Sequence, residues 1–155
     1  MKYSRLTKEQ FEELHKEFIN FLATQSITHD EWTNLKANKP ELAEMELDVF
    51  SDLIWEGVLN KAEFLEHISP QHMYLFRLAE EKMFVIALTL KNDMDITTKE
   101  GYAWLRENLM DDKVEFLQAD KAYTEDKNLD KFKMIEQGAV ITKGDLFKYF
   151  DELIG

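Results

Sequence analysis

Apolar residues recur at helical spacing over most of the first sixty positions. In "LTKEQFEELHKEFINFL" they lie three or four residues apart, which predicts a helix at about 8–24. "SITHDEW" begins a second, short helix, which must end before Pro40 because the residue preceding a proline avoids the helical region. Pro40 suits the first turn of a third helix that runs to about Asn60. We expect "NKAEFLEHI" to continue as helix up to "SP" at 69–70.

The apolar period changes after Pro70. "HMYLFRL" and "MFVIALTL" flank the polar "AEEK" and are rich in β-branched and aromatic residues, which predicts a β-hairpin over about 72–90. "KVEFLQA" and "AVI" add one or two short strands, and helices are expected at about 98–110, before Gly138 and in "KGDLFKYFDELI". Since no Gly/Ser-rich or Pro-rich linker interrupts the chain, we predict one α+β domain over residues 1–155. It is mostly helical, with a small antiparallel sheet.

Four segments share an apolar residue followed by threonine: "LTKEQF", "ITHDEW", "ITTKEGY" and "ITKGDL". A threonine that caps a helix, answered three residues later by Glu or Gln, forms a capping box. Thr7 and Thr28 meet this pattern in full, and Thr142 meets it with the shorter Asp145. In the third segment either Thr97 or Thr98 is the cap. These threonines indicate where helices begin and carry no chemistry.

The segment "DMDITTKEGY" at 93–102 resembles the part of a calmodulin-type EF-hand where the chain enters a helix. A calcium loop places oxygen ligands at its first, third, fifth and twelfth positions and a glycine at its sixth. With Glu100 at the twelfth position, Lys91 falls at the third and Met94 at the sixth. An ammonium group would repel the ion and the turn glycine is missing, so we expect no calcium site here.

Charge is distributed unevenly along the chain. The 155 residues carry a net charge of −12, and residues 41–81 hold ten acidic residues against two basic ones. Such a surface repels nucleic acid, whose binding depends on neutralised phosphates, and attracts basic partners. There is no cysteine, and the longest apolar run has eight residues, so disulfides and a membrane helix are not expected. With no secretory signal after Met1, we expect a cytoplasmic protein.

The third helix has one apolar arc and one acidic stripe. At 100° per residue the arc consists of six residues, Leu42, Met45, Val49, Phe50, Leu53 and Ile54. The acidic stripe lies opposite and consists of Glu41, Glu44, Asp48 and Asp52.

Two residues of this helix depart from that pattern. Glu46 falls near the middle of the apolar arc, where it is either a functional carboxylate with a raised pKa or a group that faces a cleft or pairs with a buried Lys or Arg. Trp55 falls on the acidic side, either because the helix curves against a second layer or because the ring anchors a partner.

The histidines offer few candidates for metal ligands. His15 lies in the apolar stripe of the first helix, which favours a hydrogen-bonded residue at the core edge. Glu63 and His67 are four apart and would share one face of a helix, while His72 lies beyond Ser69-Pro70. No His-Glu-x-x-His, nucleophile-elbow, phosphate-loop or dinucleotide-binding motif occurs, and no cofactor is expected.

Two functional hypotheses follow from these patterns. In the first, the protein is a non-enzymatic interaction module whose acidic helical surface, about 41–66 with Glu44, Asp48, Asp52 and Trp55, binds a basic protein partner. Reversing Asp48 and Asp52 to Lys would then abolish binding. In the alternative, the protein is a small hydrolase or metal-assisted enzyme that uses Glu46, Glu63, His67 and His72.

Taken whole, the chain resembles an uncharacterised bacterial family of similar length. The resemblance lies in "LTKEQFEEL", "ELDVFSDLIWEGVLN", "ENLMDD" and "IEQGAVITKG", and covers most of the chain. It implies a bacterial, cytosolic protein and transfers no activity or functional residue.

Overall fold

Seven helices and five strands make up the chain, and the computed structural model describes all residues from 1 to 155. The helices are α1 (Lys8–Glu13), α2 (His15–Thr24), α3 (His29–Asn38), α4 (Pro40–Lys61), α5 (Lys99–Glu107), α6 (Lys127–Glu136) and α7 (Asp145–Ile154). The strands are β1 (Phe64–Ser69), β2 (His72–Leu78), β3 (Lys82–Leu90), β4 (Val114–Ala122) and β5 (Val140–Thr142). Half of the residues are helical and the strands form an antiparallel sheet, which confirms the predicted α+β class.

The chain divides into two compact units, unit 1 (Met1–Asn60) and unit 2 (Lys61–Gly155). The single domain expected from the sequence stays a prediction. No helix combines the length and the apolar character needed to cross a membrane.

The helix caps largely follow the threonine pattern. Thr7 forms a complete capping box with Gln10, and the Thr28 hydroxyl accepts the backbone N–H of Glu31 at 3.2 Å. Thr98, not Thr97, caps α5 and accepts the N–H of Gly101 at 3.0 Å. These bonds satisfy N–H groups that have no partner within the first turn of a helix.

The predicted box at Thr142 is wrong. The residue at the N-cap of α7 is Gly144, with φ +84°, and Thr142 lies two residues earlier, at the end of β5. A Cβ atom on Gly144 would lie 2.4 Å from the ring of Phe64, so the chain turns here against an aromatic side chain. Only glycine combines this left-handed conformation with so close an approach.

The core of unit 1 is a cluster of aromatic and aliphatic side chains from α1 to α4. The single helix predicted at about 8–24 is divided at Leu14, where the backbone leaves the helical region. On either side of this break, the rings of Phe11 and Phe18 both contact Phe50 of α4, at centroid distances of 6.0 and 5.0 Å. Trp32 of α3 completes the cluster, 5.2 Å from Phe18.

Unit 2 is built on the five-stranded sheet, in the order β4-β3-β2-β1-β5. Alternate residues of the strands pack with α5 and α7 on one face and with α6 on the other. The hairpin predicted over 72–90 is confirmed as β2 and β3. The short strands predicted in "KVEFLQA" and "AVI" are confirmed as β4 and β5.

Strand β1 corrects the prediction that helix continues to Ser69. The helix ends at Lys61, and Phe64–Ser69 pairs with β2 on one side and with β5 on the other. The acidic helical surface predicted over 41–66 therefore stops five residues early, and Glu66 belongs to the sheet. Pairing with segments that lie far away along the chain outweighed a local pattern compatible with helix.

Candidate functional site

The acidic stripe of α4 is already engaged by the chain's own N-terminal segment, Lys2–Leu6. The Arg5 guanidinium donates to the Asp48 carboxylate at 2.8 Å from Nε and 2.6 Å from Nη2, and its Nη1 contacts Glu44. Both nitrogens donate to the same carboxylate oxygen, Oδ1, and hydrogen bonds between two charged groups are stronger than those between neutral ones. Two of the four predicted partner-surface residues thus neutralise a residue of the same chain.

Asp52, the third predicted residue, holds the backbone of the N-terminal segment. Its two oxygens accept the N–H groups of Lys2 at 2.7 Å and Tyr3 at 2.9 Å. One turn further, the Tyr3 hydroxyl donates to Glu56 at 2.5 Å. Burial of the Tyr3 side chain, and next the hydrogen bond to this carboxylate, raise the pKa of Tyr3 to about 12.

Beside the acidic stripe, α4 presents a row of apolar side chains to solvent. These four residues form the apolar strip, with exposed fractions from 45% to 60%: Leu42, Met45, Val49 and Leu53. Their spacing of three, four and four residues places them on one face of the helix. By contrast Phe50, from the same predicted arc, is buried in the unit 1 core.

Sequence reasoning missed that the predicted arc consists of two faces. At 100° per residue the six arc residues cover about 180° of the helix, whereas a helix on a protein surface usually buries a stripe of little more than 100°. The excess width was the signal that some of these residues remain exposed.

Glu46 is a surface carboxylate at the edge of the apolar strip. It is half-buried and accepts a hydrogen bond from Nε2 of Gln25 at 2.8 Å. It forms no ion pair with Lys or Arg, and it does not line the cavity of about 600 Å³ that opens among the helices of unit 1. Trp55 is also half-buried and packs against the unit 1 core.

His67 and His72, which were predicted on either side of a helix end, lie on one face of the sheet. The rings of both contact Tyr74 of β2, at centroid distances of 6.5 and 6.0 Å. The ring of His72 also lies 3.4 Å from the Thr89 hydroxyl through Nδ1. Glu63 precedes β1 and is exposed, so the helical pairing of Glu63 with His67 is wrong.

The four residues of the enzyme hypothesis are divided between the two units. Glu46 belongs to unit 1, while Glu63, His67 and His72 belong to unit 2. No group of three or more His, Asp or Glu side chains is arranged to hold a metal ion.

A cavity of about 600 Å³ opens within unit 1, larger than the cavities of about 250 and 220 Å³ in unit 2. Buried apolar side chains form its floor: Leu6, Phe18, Leu22 and Trp32. Exposed polar side chains line its mouth: Arg5, Lys8, Glu12, His15, His29 and Lys36. An apolar floor with a few polar groups at the mouth is typical of sites for small molecules.

The cavity was not foreseen from the sequence, although His15 was noted. His15 is exposed and lines this opening, and its predicted role as a hydrogen-bonded residue at the core edge stays a prediction. The other lining residues come from the N-terminal segment, from α1 to α4 and from the connection between α2 and α3, so no local motif marks the site.

Comparison with curated proteins finds no match, and comparison with solved structures finds none either. The match to a family model extends over residues 1–155, the entire sequence. That model is described as a family of unknown function, DUF6495, and it agrees with the resemblance noted in the sequence. The chain belongs to this family of unknown function (DUF6495).

Proposed function

We propose that the protein is an interaction module that binds a basic, amphipathic helix of a partner protein along the apolar strip of α4. The observation that carries this proposal is the exposure of four apolar side chains in one row, Leu42, Met45, Val49 and Leu53. Soluble proteins rarely leave a contiguous apolar row uncovered unless it binds something. An amphipathic helix fills such a row with its own apolar face.

The charge around the strip selects a basic partner. Helix α4 carries six acidic residues and one basic residue, and acids remain in excess when Lys2 and Arg5 of the N-terminal segment are counted. Glu41 and Glu46 flank the strip, and neither forms an ion pair. A second copy of the same helix would bring like charges together, whereas lysine or arginine beside the partner's apolar face would meet these carboxylates.

The acidic stripe itself is the weaker part of the surface predicted from the sequence. Glu44 and Asp48 are engaged by Arg5, and Asp52 by backbone N–H groups. Reversing Asp48 and Asp52 to Lys would release the N-terminal segment as well as change the surface charge. Glu41 offers a cleaner test, because it is exposed and its side chain has no partner within the chain.

The test is fluorescence anisotropy with a labelled synthetic helix of leucine and lysine, about five turns long. We expect 1:1 binding that weakens strongly from about 0.05 M to about 0.5 M salt. Val49→Ser and Leu53→Ser should each weaken binding about tenfold, and Glu41→Lys should weaken it mainly at low salt. Leu117→Ser is the matched control, since Leu117 is 63% exposed on β4 and belongs to unit 2.

A matched peptide of leucine and glutamate should not bind. Equal binding of both peptides, or equal loss in Leu117→Ser and Val49→Ser, would show non-specific hydrophobic adhesion and refute the proposal.

A further inference from the structure

The side chains at the mouth of the unit 1 cavity are mainly basic, whereas the protein as a whole is acidic. The chain as a whole carries −12, yet the exposed lining residues include Arg5, Lys8 and Lys36 with one acid, Glu12. His15 and His29 add two further nitrogen donors. A cavity whose floor is apolar and whose mouth is basic complements a molecule with a hydrocarbon body and an anionic head.

Two of these cations are available to a ligand. Arg5 is already compensated by Glu44 and Asp48. Lys8 and Lys36 form no ion pair within the chain. The ammonium group of Lys36 lies 5.8 Å from the ring of Trp32, which is part of the cavity floor. Lys36 thus stands where the apolar floor meets the mouth.

We propose that this cavity binds a free fatty acid, with the hydrocarbon chain on the floor of Phe18, Leu22 and Trp32 and the carboxylate at Lys8 and Lys36. The volume of about 600 Å³ lies within the range of small-molecule sites. The site uses other residues than the apolar strip of α4. The fatty-acid proposal and the proposed docking of a helix can therefore be confirmed or refuted independently of each other.

Calorimetric titration of the full chain with octanoate, decanoate and dodecanoate, each below its micellar concentration, tests the proposal. We expect one site per chain, and affinity should rise about tenfold for every two methylenes added. Dodecanol should bind at least tenfold more weakly than dodecanoate, and dodecyltrimethylammonium no better than dodecanol, because the head group must be anionic.

Variants distinguish ligand binding in the cavity from binding elsewhere on the surface. Lys8→Gln with Lys36→Gln should weaken dodecanoate about tenfold and leave dodecanol unchanged, while Lys16→Gln with Lys39→Gln is the matched control. Ile19→Trp should abolish binding of both ligands, because Ile19 lines the cavity and is exposed enough to accept a larger ring. Val49→Ser should leave dodecanoate binding unchanged.

Several results would overturn the proposal. They are an absence of dodecanoate binding, many ligands bound per chain, equal affinity for the three head groups, or equal effects of the two lysine pairs. Binding to phosphatidylglycerol vesicles without binding to free dodecanoate would also overturn it, and would identify the opening as a contact with a lipid surface.

Discussion

The carboxylate of Asp52 accepts the backbone N–H of Tyr3 at 2.9 Å, and its second oxygen accepts the N–H of Lys2. A helical side chain thereby fixes residues that lie about fifty positions earlier in the chain. The next apolar residue, Leu6, is buried, and its N–H donates to the buried Ser51 hydroxyl at 3.1 Å. The acidic stripe of α4 therefore has a structural role in unit 1.

Replacing Asp52 by Ala should destabilise the protein by about 1–3 kcal/mol, because two backbone N–H groups lose a charged acceptor. Urea unfolding monitored by circular dichroism measures this change. Glu41→Gln is the control on the same helix and should stay within about 0.5 kcal/mol of the parent protein. Equal stability of both variants would mean that the hydrogen bonds to Asp52 add nothing measurable to the other contacts that hold the N-terminal segment.

Tyr3 should make the protein sensitive to alkali. Its pKa in the folded state is about 12, above the ordinary value of 10.0, so folding favours the neutral phenol. The stability that this contributes is fully present below pH 10 and is lost as the pH rises towards 12. Unfolding free energies measured from pH 8 to about 11.5 should fall less steeply in Tyr3→Phe; parallel curves would contradict the assignment.

Two glycines in helices should respond to alanine in opposite directions. At Gly57 in α4 a Cβ atom would meet nothing within 4 Å, so Gly57→Ala should stabilise by about 0.5–1 kcal/mol through helix propensity. At Gly101 in α5 a Cβ atom would lie 1.7 Å from the Asp95 carbonyl oxygen, so Gly101→Ala should destabilise by about 1–3 kcal/mol. Thermal unfolding of the two variants measures the contrast. A stabilised Gly101→Ala would show that the Thr98 cap does not need this close approach.

Glu66 should oppose folding at neutral pH. Burial in the sheet raises the pKa of this carboxyl above its ordinary value of 4.5, and Asp145 adds to the effect, while a hydrogen bond with Thr142 acts against it. A raised pKa means that the folded state favours the protonated form, so this contribution is present at low pH and is lost as the pH rises through the folded pKa. Glu66→Gln should therefore gain stability over the parent as the pH rises from 4.5 through the folded pKa, and should lose that advantage at lower pH. Melting temperatures across this interval provide the measurement, with Glu63→Gln as the exposed control.

The helix starts and the central hairpin were predictable because their causes are local. Thr7 and Thr28 accept N–H groups from three residues ahead, so the cap and its partner stand together in the sequence. The hairpin of β2 and β3 joins two apolar strands that are neighbours along the chain. At 97–98 the sequence left two threonines open, and only the structure shows that Thr98 is the cap, where its hydroxyl accepts the N–H of Gly101.

The buried face of α4 and the strand conformation of β1 could not be predicted in the same way. The apolar arc of α4 was recognised, but only packing of Phe50 against α1 and α2 determined which half became buried and which half remained exposed. His67 and His72 lie on one face of the sheet because β1 pairs with β2. The sequence analysis predicted helix for "NKAEFLEHI" and so did not predict this pairing. Both outcomes depend on partners distant in sequence.

By itself, the sequence determined the α+β class, the helix caps at Thr7 and Thr28, the central hairpin and the excess of acid between residues 41 and 81, since each depends on neighbouring residues or on composition. Only the tertiary structure decided that the acidic stripe binds the chain's own Arg5 and N-terminal backbone, and that six exposed polar residues from separate segments surround one apolar cavity. Hydrogen bonds and burial join residues that are far apart in the chain, and no local pattern records which of them will meet.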